Sequence, residues 1–193
     1  MFFDAVVDAH NNQRKKFWAS RHRWATPEPV AYVSLSGEIS FQATERLIRQ
    51  IEAAGDETPL HVEIESNGGS VHAGFDCYHA LAGHSAPVTT AVSGNCYSAA
   101  LLPYLAGDTR IASSSAAAFL IHGCSQFQSG SARALTLRSD AGELEALDAE
   151  IRLVIACRTR SYGGARLQID MENETLLSGN EAHQKNIATV LVD

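Results

Sequence analysis

The stretch Leu60-His61-Val62-Glu63-Ile64-Glu65-Ser66-Asn67-Gly68-Gly69-Ser70-Val71 changes period in its middle, and that change decides the fold. Leu60 to Ile64 alternate apolar and polar, the period-2 pattern of a half-buried strand, while Asn67-Gly68-Gly69 is turn chemistry. From Val71 to about Ala82 the pattern is helical, so a strand turns directly into a helix. Working outward, Val30 to Leu35 reads as a strand and about Ala43 to Ala54 as a helix; Pro87 to Val92, Thr109 to Ala112 and Ala117 to Ile121 read as further strands. An apolar helix is expected from Ser98 to Leu105. Strands recurring with helices between them predict an α/β domain with a largely parallel sheet.

At 193 residues the chain suits one domain that can bury more than ~70% of its unfolded surface without needing a disulfide or metal. Lys and Arg number 15 against 22 Asp and Glu, a net charge of −7, which argues against a nucleic-acid partner for the domain as a whole. Cys77, Cys96, Cys124 and Cys157 stand singly with no Cys-x-x-Cys, so free thiols in a reducing compartment are expected. The opening Met1-Phe2-Phe3-Asp4 carries acid where a signal peptide needs base, and no run approaches the roughly 20 apolar residues of a membrane span. The expectation is a soluble cytoplasmic protein with no membrane partner.

Residues 1–29 read as an N-terminal arm, amphipathic at first, then basic and aromatic from Arg14-Lys15-Lys16 through Trp18 to Trp24, and closed by Pro27 and Pro29. Such interleaving suits single-stranded nucleic acid, but a partner-docking tail is the plainer reading. Residues 30–193 form the predicted domain. Within it a long helix is expected from about Ala134 to Tyr162, either packed on its own domain or reaching toward a second subunit.

Chemistry collects at strand ends. Ser98 follows Gly94-Asn95-Cys96-Tyr97, and its hydroxyl is expected at the start of a helix; His122 ends the apolar run Phe119-Leu120-Ile121. Gly68-Gly69 offers bare backbone N–H groups. A hydroxyl, a strand-end base and backbone donors are what nucleophilic acyl transfer requires. Each has a structural reading as well: Ser98 a helix cap, His122 a strand-end side chain, the glycines a turn. Cys96 reads as a small buried side chain rather than a nucleophile. His72, Asp76 and His79 share a helix face but lack a fourth ligand at informative spacing, so no metal is assigned. The absence of a Gly-x-x-x-x-Gly-Lys loop leaves the chain without an ATPase motif of its own.

These motifs resemble those of the Clp protease proteolytic subunit (ClpP) family and, in pattern, its phage-type relatives among head-maturation serine peptidases. The family's glycine turn is similar to Ile64 to Gly74, its Gly-x-x-x-Ser to Gly94 to Ser98, its strand-end histidine to Leu120-Ile121-His122, and its C-terminal carboxylate pattern to Glu174 to Ala182. The resemblance implies a ClpP/crotonase-like repeated β-β-α superhelix with a protruding handle helix. It implies Ser98 as nucleophile, His122 as base, and Gly69 and Ala99 N–H as oxyanion donors. Glu174 falls where Clp subunits usually carry Asp, with Asp170 in reserve. Asn67 replaces the usual proline, and Ala100 a common glycine.

The resemblance further implies a cofactor-free serine endopeptidase acting on unfolded or flexible polypeptide inside a homo-oligomeric ring, a heptamer or a stacked double ring, with room for an AAA+ unfoldase partner. Two other classes stay open: a non-catalytic scaffold of the same fold, and a crotonase-type acyl-CoA enzyme, against which the lack of an Ala-Asp-x-Lys-Ala segment counts.

Overall fold

The structure, a computed structural model, describes residues 30–125 and 134–193; the expected arm over residues 1–29 lies outside the described residues. The chain runs β1 (Ala31–Ser36), α1 (Phe41–Ala54), β2 (Leu60–Glu65), α2 (Val71–Gly83), β3 (Val88–Val92) and β4 (Asn95–Tyr97). A 3-10 turn (Ser98–Ala100) leads into α3 (Leu101–Leu105), then β5 (Thr109–Ser113), β6 (Ala118–Ile121) and α4 (Ala134–Thr159). The chain closes with α5 (Gly164–Glu172), β7 (Thr175–Ser178), α6 (Gly179–Gln184) and β8 (Val190–Val192).

A five-stranded parallel sheet is ordered β1-β2-β3-β5-β8. Its inner face carries Val33, Leu35, Leu60, Val62 and Ile64, all buried, while Tyr32, Glu63 and Glu65 point outward, as the alternation in β2 predicts. The α1 helix lays Ala43, Leu47 and Ile51, spaced four apart, on that inner face, and Ser40 caps it by accepting the Ala43 N–H. The mixed α/β architecture with a parallel sheet is as expected.

The strand leading to Ser98 differs from expectation. The run ending at Val92 is followed by a separate short strand, β4, which belongs to a second sheet ordered β4-β6-β7. Three residues of mixed polarity carry no periodicity, so β4 exists through its pairing: parallel to β6, with Tyr97 opposite Leu120, and bridged to Ser66 at the end of β2. The expected single helix from Ser98 is instead a 3-10 turn running into the five-residue α3.

The long helix ends at Thr159 rather than at Tyr162, because Arg160 takes a left-handed conformation at φ 62. From Ser139 to Glu150 it buries no residue, and full burial begins only at Ile155. Its exposed half nevertheless reaches the rest of the domain: Glu143 stands 3.9 Å from His72 on α2, and Asp148 accepts the N–H of Cys124, just after β6.

Candidate active site

The ends of β2, β4 and β6 converge on one cleft lined by Gly69, Ser98, Ala99, Leu120, His122 and Gly123, among others. Register explains the meeting. Because β4 and β6 are parallel with Tyr97 opposite Leu120, the next steps outward bring Ser98 and then His122 to the same carboxyl edge.

Ser98 has φ 56, a left-handed conformation uncommon for a residue with a Cβ. That bend takes the hydroxyl out of the line of β4 and into the cleft. The Oγ makes no hydrogen bond to any described residue. The surroundings hold the bend from both sides. A Cβ on Gly68 would lie 2.7 Å from Ser98 Cβ and 2.9 Å from the Tyr97 carbonyl oxygen, so only glycine lets the two turns approach. Gly74 performs the same service on α2, where a Cβ would meet the Ala99 carbonyl oxygen at 2.9 Å.

Gly69 is bridged to Ile39: the Ile39 N–H donates to the Gly68 carbonyl and the Ser70 N–H to the Ile39 carbonyl. Those two bonds flank Gly69 on one edge, so its own N–H faces the opposite one, toward the cleft. A side chain here would collide with the Ile39 carbonyl, and at φ 149 the backbone itself favours glycine. The Ser66 hydroxyl accepts the Gly68 N–H at 3.0 Å and is itself buried. Asn67, in place of proline, accepts a hydrogen bond at 2.9 Å from the Asn95 side chain, tying the glycine turn to the serine turn. The exchange of proline for asparagine therefore replaces a stiff ring with a cross-turn clamp.

The His122 ring is held at Nδ1, 2.6 Å from the Gly123 carbonyl oxygen. A carbonyl only accepts, so Nδ1 carries a proton, and the neutral form of the ring has its lone pair on Nε2. The antiparallel pairing of β6 with β7 puts Ile121 opposite Thr175, so Glu174 is the residue across from His122. Its carboxylate is exposed and makes no hydrogen bond to any described residue, and its backbone is left-handed at φ 49. Asp170 is engaged elsewhere. It is 4% exposed and accepts from the Tyr162 hydroxyl at 2.7 Å, Lys185 Nζ at 3.1 Å and the Arg166 guanidinium at 3.3 Å.

Cys96 is fully buried, and burial pushes its thiol far up, which removes it as a nucleophile. The His72, Asp76 and His79 face gathers no ligands: among the described residues no three His, Cys, Asp or Glu side chains stand together as a metal site. No helix of the described residues is long and apolar enough to cross a membrane. Sequence reading missed the Gly123 carbonyl, the Ser66 hydroxyl and the Asn67–Asn95 pair. A backbone carbonyl leaves no signal in residue types, and the asparagines lie 28 positions apart.

The sequence matches the Clp protease family model over residues 29–192. Among solved structures, a ClpP1 point mutant from Listeria monocytogenes superimposes with a TM-score of 0.73 at 22% identity, covering 84% of this chain and 91% of that one; it shares the fold. No curated protein sequence matches. With a family match spanning the glycine turn, the Ser98 turn, the His122 strand end and the C-terminal strands, the chain belongs to the Clp protease family, a family of peptidases.

Proposed function

We propose that residues 30–193 form a serine-type endopeptidase domain in which Ser98 is acylated by unfolded or flexible polypeptide, the domain working within a homo-oligomeric ring. One observation carries the reading: a serine at φ 56 whose hydroxyl has no partner among the described residues and a histidine whose Nδ1 is tied to a carbonyl open into one cleft, beside the outward-facing N–H of Gly69.

In this mechanism Nε2 of His122 takes the Ser98 hydroxyl proton as Oγ attacks the scissile carbonyl carbon. The carbonyl oxygen gains the negative charge, and the N–H groups of Gly69 and Ala99 stabilise it. His122 returns the proton to the leaving amine, and the acyl ester is hydrolysed when the ring takes a proton from water. Glu174 flanks the ring from the neighbouring strand and adds a negative potential that favours the transient imidazolium, while the Gly123 carbonyl keeps Nδ1–H in place. No cofactor takes part in these steps. The family resemblance supports the ring and an AAA+ unfoldase that delivers unfolded chains.

The test is a fluorophosphonate probe with mapping of the labelled residue, run beside hydrolysis of an unfolded polypeptide. Label is expected on Ser98 and is lost in His122→Ala, and Ser98→Ala lowers turnover by a factor on the order of 10⁶. Undiminished cleavage by Ser98→Ala would overturn the proposal. A folded, assembled protein that neither cleaves nor labels is instead a scaffold.

A further inference from the structure

A second carboxylate, one the sequence does not single out, is linked by hydrogen bonds toward His122. Asp148 on α4 accepts the Cys124 N–H through Oδ1 at 2.6 Å. The Gly123 carbonyl accepts Nδ1–H of His122, also at 2.6 Å. That N–H and that carbonyl are the two ends of a single peptide unit. The chain of bonds therefore runs from the Asp148 carboxylate through the Gly123–Cys124 peptide to the imidazole.

We propose that Asp148 is a positioning residue for His122, acting through the Gly123–Cys124 peptide in place of a direct carboxylate–imidazole contact. This rests on the proposed serine-type reading and names what aims its base. Two physical effects carry it. The peptide is planar and stiff, so fixing its N–H end fixes the direction of its carbonyl, and with it the ring plane. Hydrogen bonds in series also polarise one another, by roughly 10–30% per bond, so a charged acceptor at one end makes the carbonyl at the other a stronger acceptor for Nδ1–H.

The local sequence fits this arrangement. A Cβ on Gly123 would lie 3.2 Å from Asp148 Oδ2, so the bare glycine leaves room for the carboxylate. The Cys124 thiol is pushed up to about 12 by burial, and then by its hydrogen bond and charge contact with Asp148, so it stays protonated beside the carboxylate. Among the described residues, titratable groups near the ring include Tyr97 on β4, Cys124 after β6, Asp148 on α4 and Glu174 before β7. Of these, only Asp148 is joined to the ring through hydrogen bonds.

The experiment compares Asp148→Ala, Asp148→Asn and Glu174→Ala, with Ser98→Ala as the reference for the reaction itself. It reads hydrolysis of an unfolded polypeptide and, independently of activity, the Nδ1 proton of His122 by NMR of ¹⁵N-histidine-labelled protein, identified by its loss in His122→Ala. Asp148→Ala is expected to lower kcat by a factor on the order of 10² with little change in KM, the loss typical of a misaimed catalytic group. Asp148→Asn keeps an acceptor for the Cys124 N–H, so it falls less and shows an upfield-shifted but still protected Nδ1 proton. Glu174→Ala removes a flanking charge but no hydrogen bond to the ring, so its Nδ1 proton stays protected and its loss in kcat is smaller than that of Asp148→Ala. The inference is overturned if the Nδ1 signal is unchanged in Asp148→Asn, or if Glu174→Ala loses as much activity as Asp148→Ala. Activity surviving in Ser98→Ala is a failure of the serine-type reading; the NMR arm stands apart from it. Should Asp148→Ala fail to fold, the near-isosteric Asn variant decides.

Discussion

Ser98 sits in a backbone conformation that costs a β-carbon-bearing residue on the order of 1–3 kcal/mol, so its neighbours must over-determine it. Gly68 is the tightest of them. With φ 97 and a would-be Cβ 2.7 Å from Ser98 Cβ, Gly68→Ala adds backbone strain and pushes Ser98, the proposed nucleophile, out of its bend. The expected result is a fluorophosphonate labelling rate at Ser98 lower by about tenfold or more, at the scale of a displaced catalytic group. The control is Gly83→Ala on α2, where an added Cβ meets nothing within 4 Å, and which leaves labelling unchanged. Equal labelling in both variants would show that the contact between the two turns does not set the Ser98 hydroxyl. Ser98, His122 and Gly68-Gly69 were legible in the sequence because residue type and strand-end position coincide. The groups that hold them were not: the Gly123 carbonyl has no residue-type signature, and Asp148 looks like any charge on an exposed helix face until the fold brings it to Cys124.

At the scale of elements, α1 and β2 were legible because local pattern and burial agree, from the Ser40 cap with Ala43, Leu47 and Ile51 behind it to the alternation of Leu60, Val62 and Ile64. The short β4 and β8 were not, since each has three residues and owes its strand geometry to partners distant in sequence. The α5 helix hides its purpose in the same way. Asp170, expected as a reserve catalytic acid, instead joins α5 to Tyr162 before it and Lys185 after α6, with Lys185 Nζ also 4.4 Å from the Tyr162 ring centroid. Burial alone would raise its pKa; the Tyr162 and Lys185 hydrogen bonds and the Lys185 and Arg166 charges outweigh it, so the carboxyl is held below the ordinary aspartate value. A carboxyl depressed in the folded state stabilises the fold above its unfolded pKa of about 3.9, and that contribution disappears as pH falls through the lower folded value. Asp170→Asn is therefore expected to unfold at lower urea than the wild type at pH 7, with the gap closing below about pH 4. A gap that stays constant into that acid range would rule out the charge as its source.

At the scale of the whole fold, a buried cation ties the last strand and the end of α4 to the main sheet. Arg110, on β5 and 5% exposed, donates to the carbonyls of Gly107, Arg158, Asn186 and Ile187. Its backbone N–H and carbonyl pair with the hydroxyl and N–H of Thr189, just before β8. Four segments that the sequence presents separately thus meet on one guanidinium: the turn after α3, β5, the end of α4 and the loop into the last strand. Arg158 reinforces the same corner by donating to the Leu105, Ala106 and Gly107 carbonyls. Burial, and then the charge of Arg158, lower the Arg110 pKa to about 10, which still leaves it protonated at neutral pH. The planar fork is what reaches four acceptors at once; an ammonium supplies the charge but not that geometry. Removing it strands several buried carbonyls at about 1–3 kcal/mol each, so Arg110→Met is expected to cost about 3 kcal/mol or more. For a chain of this size that corresponds to a melting temperature lower by roughly 6–12 °C. Arg110→Lys separates charge from geometry and is expected to recover less than about half of the loss. Thermal denaturation of the three proteins decides the matter, and full recovery by lysine would mean that charge, rather than the directed hydrogen bonds, closes the fold.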